Sequence, residues 1–158
     1  MKRIVSLLLA MVLLSCLVII PANAESAGFV EKVSSSTVYN EDGSYCIKDI
    51  YRVVPSGEAI NGVITPTHGT AVMTYYTGSG DAIWAVSVTG YFNYEYGISA
   101  YATSASSSVS IFDSSCTFIS KSSNVYGAIA SASATVRYIW TYTDMTVTLT
   151  CDEYGNLS

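Results

Sequence analysis

Basic side chains are scarce in this chain. Seven lysines and arginines stand against twelve aspartates and glutamates in 158 residues, with a single histidine. Lys2 and Arg3 precede an apolar leader, so the chain from residue 25 onward keeps only Lys32, Lys48, Arg52, Lys121 and Arg137, for a formal charge of −7. That balance gives no electrostatic footprint for nucleic acid. It also excludes charge-driven binding to an anionic membrane. The one histidine leaves little for nucleophilic catalysis, because a serine or cysteine nucleophile needs a base beside it. His68 lies in Thr67-His68-Gly69, which reads as an exposed turn, and Gly78-Ser79-Gly80 is a turn rather than a nucleophile elbow. The carboxylates are scattered beside Gly, Ser and Asn, with no pair placed for glycoside hydrolysis. Glu41-Asp42-Gly43 and Asp152-Glu153-Tyr154-Gly155 are acidic turns without the alternating oxygen ligands of a calcium loop. We therefore expect no catalytic residue, no metal, no cofactor and no enzyme activity.

Long apolar runs are also missing, with one exception at the start. Ile4 to Ile20 is almost unbroken, Pro21 ends it, and Ala22-Asn23-Ala24 supplies the small residues of a cleavage site. Residues 1–24 read as a secretory signal peptide cleaved after Ala24. The run is short for an uncleaved membrane anchor. Lipoprotein processing at Cys16 fits poorly, because Leu17 to Ile20 continue the run beyond it. The expected location is secreted, extracellular or cell-surface associated, with no stable membrane insertion. Secretion permits disulfides. Cys46, Cys116 and Cys151 are the disulfide candidates; they allow one bridge in three pairings and leave one thiol over.

What remains is rich in Tyr, Ser, Thr and Ala, with all thirteen tyrosines beyond residue 24. Strand formers are plentiful and helix-surface residues are few. Period-two alternation dominates. Over 82–96 the even positions, Ala82, Trp84, Val86, Val88, Gly90, Phe92, Tyr94 and Tyr96, form one apolar face. Gly90 marks a bend, a bulge or a join. Over 126–142 the even positions repeat the pattern as Tyr126, the alanine row 128–134, Val136, Tyr138, Trp140 and Tyr142. From Met145 the apolar phase moves to odd positions, which predicts a turn or bulge near 142–144. Further strands are predicted over 45–54, around Ala71 to Tyr75, and on either side of the Asp113-Ser114-Ser115 turn. Asn61-Gly62 is a two-residue hairpin signal. Pro55 and Pro66 belong at strand ends or edges.

Together these features predict an all-β fold: an antiparallel β-sandwich of Ig-like or Greek-key type with about eight strands. An irregular segment, 25–44, would precede a single domain at 45–158. The stretch GYFNYEYG at 90–97 carries four aromatic rings. Parity assigns Phe92, Tyr94 and Tyr96 to the core, packed over the alanine row, and leaves Tyr91 on the outer face. Tyr75 and Tyr76 must point to opposite faces, and Tyr101 can take either. Tyr91, Tyr75, Tyr76 and Tyr101 are the candidate ligand-binding residues.

Several segments carry a resemblance: IWAVSVTGYFNY, SASSSVSIFDSS, ISKSSNVYGAIASASATVRY and TVTLTCDEYGNLS. Over about 75–158 the chain resembles an uncharacterised group of small secreted β-rich proteins of Gram-positive gut bacteria. The resemblance implies a secreted β fold and no activity. Relatives often carry a cysteine at the position of Ala102, pairing with the counterpart of Cys151. Its absence here leaves Cys116 or Cys46 as the partner.

The function expected from the sequence is a non-enzymatic extracellular interaction or surface-associated protein. Its unknown partner could be a glycan or cell-wall polymer. The alternatives are a small carbohydrate-binding protein and a bacteriocin-like or membrane-active effector. The alanine row yields a first prediction. Ala132→Leu overpacks the core and destabilises the protein by about 1–3 kcal/mol, read as a lowered melting temperature; an unchanged one refutes a buried row.

Overall fold

The computed structural model describes residues 29–54 and 62–158. The expected signal peptide with Cys16, residues 25–28, Pro55 and the Asn61 half of the expected Asn61-Gly62 hairpin lie outside the described residues. Eight strands follow one another: β1 (Val30–Tyr39), β2 (Tyr45–Val53), β3 (Ile64–Tyr76), β4 (Ala82–Glu95), β5 (Ser99–Ile111), β6 (Cys116–Tyr126), β7 (Ile129–Tyr138) and β8 (Thr141–Thr150). No helix occurs among the described residues.

The strands form two antiparallel sheets. One holds β1 to β5 and the other β6 to β8, each in sequence order. The expected all-β sandwich of eight antiparallel strands is present. Its connectivity is a meander rather than a Greek key, because every hydrogen-bonded neighbour is also the neighbour in sequence. Short turns favour this result, since a Greek key needs a long return connection. The chain changes sheets at the Asp113-Ser114-Ser115 turn. There the Asp113 carboxylate accepts from the Ser115 N–H at 2.7 Å, and the Asp113 carbonyl accepts from Cys116 N–H at 3.0 Å.

The core lies where the narrow sheet covers β3 to β5. Trp84, Val86, Val88, Phe92 and Tyr94 of β4 meet Ala130, Ala132, Ala134 and Val136 of β7, with Met145, Val147 and Leu149 of β8 alongside. Gly90 is not a join between strands, since β4 runs unbroken through it. It is a point of closest approach: a Cβ there would fall 2.7 Å from the Ala130 Cβ and 2.8 Å from the Phe92 ring. The register irregularity lies just beyond, where Tyr91 pairs with Ser104 but Phe92 pairs with Ala102. The extra residue, Thr103, is in β5, and its hydroxyl donates to the Tyr91 carbonyl at 3.1 Å.

Three expectations need correction. Val30–Tyr39 is a strand rather than irregular chain. All ten of its residues are exposed, so neither face requires an apolar series and no alternation marks it. Residues 126–142 are not one strand. They comprise the end of β6, a turn at Gly127-Ala128, β7, a two-residue turn at Ile139-Trp140 and the start of β8. The phase change therefore comes at 139–140, earlier than predicted. Tyr126, Trp140 and Tyr142 are exposed as a result. Tyr96, assigned to the core, lies past the end of β4 and is 45% exposed, edge-on to Tyr154.

Pro66 sits as expected at an edge, because β3 pairs with β2 only from Gly69 onward. The three cysteines, expected to supply a bridge, are separate thiols. Cys46 Sγ contacts Met145 Sδ at 3.8 Å, and Cys151 Sγ contacts the Asp152 carbonyl at 3.4 Å. Burial, helped by the Asp152 charge, pushes the Cys151 thiol up to about 11. Burial also raises Cys46, and burial with the Asp113 charge raises Cys116. Reactivity requires thiolate, so all three are poor nucleophiles at neutral pH.

The C-terminal tail locks the sandwich. Cys151 pairs with Leu157, whose side chain is only 3% exposed and packs on Gly69. Asp152 holds the turn, its carboxylate accepting from the N–H groups of Tyr154 (2.9 Å) and Asn156 (2.8 Å) and from the Asn156 amide (2.9 Å). Burial pushes this carboxyl up, but the hydrogen bonds outweigh it and hold the pKa below the ordinary value.

Leu157→Ala empties a buried site and destabilises the protein by about 2–5 kcal/mol, measured by urea unfolding. Asp152 supplies a pH signature. Its lowered folded pKa gives stability that is complete above the unfolded carboxyl pKa of about 3.9 and is lost as pH falls through the folded value. The gap in unfolding free energy between the wild type and Asp152→Asn is therefore widest near neutral pH and closes in acid; a gap independent of pH refutes the ionic turn.

Candidate functional site

Strand pairing fixes which side chains share the outer face of the large sheet, because residues directly opposite each other point the same way. Three of its rows near one end are informative. Pro66 pairs with Asn93, which pairs with Tyr101; His68 pairs with Tyr91, which pairs with Ser104; and Thr70 pairs with Thr89, which pairs with Ser106. Tyr91 and Tyr101 thus come to the same face as diagonal neighbours, about 7–8 Å apart at Cα. Tyr91 is 47% exposed and Tyr101 44%. Asn93 lies between them and donates from Nδ2 to the Tyr101 hydroxyl at 3.2 Å. The Tyr101 O–H and the Asn93 carbonyl oxygen remain free for a ligand.

His68 completes the group. It was read as a turn histidine but belongs to β3, and its ring stacks on Tyr91 with centroids 5.3 Å apart and 14° between planes. The stack holds the tyrosine ring in one orientation. The result is an exposed patch of two phenol rings, one imidazole and one amide on three adjacent strands, with one face of the Tyr91 ring turned to His68. No carboxylate or serine hydrogen-bonds to His68 among the described residues. The chemistry that this patch exposes is aromatic ring surface beside hydroxyl and amide groups.

The other two candidates fall elsewhere. Tyr75 points inward against Trp84 and Cys46 and packs on the core. Tyr76 points outward as parity requires, but eight residues along β3 from His68, or about 26 Å at strand rise. There it stacks on Tyr45 (5.0 Å, 7°), which contacts Tyr39 at 5.7 Å. Those rings serve one another as cross-strand pairs.

Sequence reading missed a second feature, the β7–β8 hairpin tip. Ile139 has φ 56°, the only described non-glycine residue in the left-handed region. A β-branched residue is strained there. It presents Trp140, 87% exposed and the most exposed large hydrophobic side chain of the described residues. The signal was faint, because neither residue is a turn former and both suit a strand.

Among the described residues no group of three or more His, Cys, Asp or Glu is placed to hold a metal ion. No described helix is long and apolar enough to cross a membrane. The described residues also line two shallow hollows. One, about 170 Å³, is lined by Val109, Ile111, Phe118 and Lys121 at the seam between the sheets. The other, about 290 Å³, lies over Ser133, Thr135 and Asp144 on the small sheet.

No protein-family model, curated protein or solved structure gives a significant match to the chain.

Proposed function

We propose that the protein is a secreted, non-enzymatic binding protein whose ligand is a saccharide, a cell-surface or mucosal glycan held on the Tyr91–Tyr101 face. The observation that carries this reading is the pairing of Asn93 with Tyr101, which puts two exposed tyrosines around one free amide oxygen on a rigid sheet. A pyranose offers an apolar C–H face and an equatorial rim of hydroxyls. Stacked phenols suit the first, and the Tyr101 hydroxyl and Asn93 amide suit the second. An open sheet face, unlike a deep pocket, fits one or two residues of a long polymer. The ligand need carry no charge, which agrees with the lack of basic residues at the face.

Glycan arrays and pull-downs against cell walls and mucin test this reading. Tyr91→Ala is expected to weaken binding by roughly tenfold, or about 1.4 kcal/mol, while the melting temperature holds. Trp140→Ala serves as the contrast. Its strained, exposed tip is the other place where an aromatic ring is offered to a ligand. Loss of binding in that variant alone moves the site to the hairpin; binding unchanged in both, or no glycan bound at all, refutes the saccharide reading.

A further inference from the structure

We propose that the protein pairs with a second copy of itself through β1, edge to edge and antiparallel, making one continuous sheet of ten strands. This goes beyond the glycan reading and does not depend on it. β1 ends the large sheet, so one row of its backbone N–H and C=O groups has no partner among the described residues. Such a row is a template for another strand unless it is blocked.

The edges at β5 and at the end of β8 carry partners that β1 lacks. Along β5, Lys121 Nζ donates to the Ser107 carbonyl (2.9 Å), the Ser123 hydroxyl to the Ala105 carbonyl (3.2 Å), and the Ala102 N–H to the Gly127 carbonyl (2.8 Å). On β8, the tail exchanges both backbone hydrogen bonds between Thr150 and Ser158. β1 has only a bulge between Lys32 and Ser34. Its two charges are engaged by β2, Lys32 with Asp49 at 2.8 Å and Glu31 with Arg52 at 3.2 Å. Beyond the bulge, Ser34 to Tyr39 has no charge and no proline, and ends in Thr, Val and Tyr.

Two observations select a second copy as the occupant. First, the segment is neutral, so it offers nothing to recognise a charged peptide, yet it is compatible with itself. With a two-fold axis through Thr37, Thr37 meets the partner's Thr37, Ser36 meets the partner's Val38, and Ser35 meets the partner's Tyr39. Glu31 and Lys32 stay at opposite ends of the pairing. Second, the small sheet reaches no further than the inward side chains of β2, where Ile50 is buried and Cys46 contacts Met145, so β1, exposed along its whole length, projects as a lip. Two lips can join without the second layers colliding.

A two-fold axis normal to the sheet places both outer faces on the same side. The two β4 strands then lie seven strand spacings apart, about 34 Å. Two Tyr91–Tyr101 faces at that separation could engage one glycan-coated surface together, raising avidity without any new contact.

Sedimentation velocity of the cleaved chain from micromolar to millimolar concentration tests the pairing. The expected result is a reversible monomer–dimer equilibrium with no larger species. Thr37→Lys, which sets two ammonium groups against each other at the axis, is expected to weaken dimerisation tenfold or more while the melting temperature is kept. In single-cysteine variants, mild oxidation is expected to give a covalent dimer from Thr37→Cys or Ser36→Cys, but not from Glu31→Cys. A monomer at every concentration overturns the proposal, as do open-ended fibres or a dimer indifferent to Thr37→Lys. None of these results touches glycan binding, which the monomer can perform.

Discussion

The contact on which this structure depends is the approach of β4 to β7 at Gly90 and Ala130. Packed sheets usually lie about 10 Å apart because side chains of ordinary size interdigitate between them. Here neither residue has anything beyond a methyl group, and even one more methyl at Gly90 would collide with both Ala130 and Phe92. The pinch sets the thickness of the sandwich at its middle. On either side of it the large side chains of β4, Trp84 toward one end with Phe92 and Tyr94 toward the other, fill the core. A glycine and a row of alanines amid such large aromatics are thus two parts of one shape. The bulk missing from β7 is the bulk present in β4.

The pinch also explains why the candidate site is where it is. Tyr91 follows Gly90 directly, so its backbone lies in the most constrained part of β4, held by β3 on one side and by the β5 bulge at Thr103 on the other. A contact surface gains from such rigidity, because little ordering is left to lose on binding. The same bulge sets the face of Tyr101. Before Thr103 the β5 residues packed on the core are Ala100 and Ala102; after it they are Ala105 and Val109. The one extra residue reconciles an alanine-lined end with an aliphatic one, while Tyr101 stays on the outer face beside Asn93.

Alternation was legible wherever one face of a strand is dry. The inward series of β4, β7 and β8 could be read from the sequence because burial imposes it. It failed where burial does not discriminate, as in β1, which is wet on both faces. It failed again at Ile139-Trp140, where the turn uses residues that favour strands and the apolar parity runs on through it. Tyr91 could be placed outward from local pattern alone. Its neighbours could not, because Asn93–Tyr101 and His68–Tyr91 are matters of register between strands, set by turn lengths and a bulge that no local window contains. The connectivity was lost for the same reason: a meander and a Greek key can be built from identical strands.

Scarcity of lysine links the surface to the edges. A β protein with many lysines can defend each edge with charge, but residues 25–158 of this chain hold only five basic residues. Lys121 caps β5 from the neighbouring sheet, Lys32 and Arg52 tie β1 to β2, and the C-terminal tail closes the end of β8. The consequence for assembly is a matter of symmetry. An open edge that pairs with a different edge of the next copy propagates without limit, whereas one that pairs with itself closes after two. With side chains from β6 on β5 and the tail at the end of β8, β1 is the edge we propose to meet its own counterpart, and the symmetry of that contact would limit association to a pair.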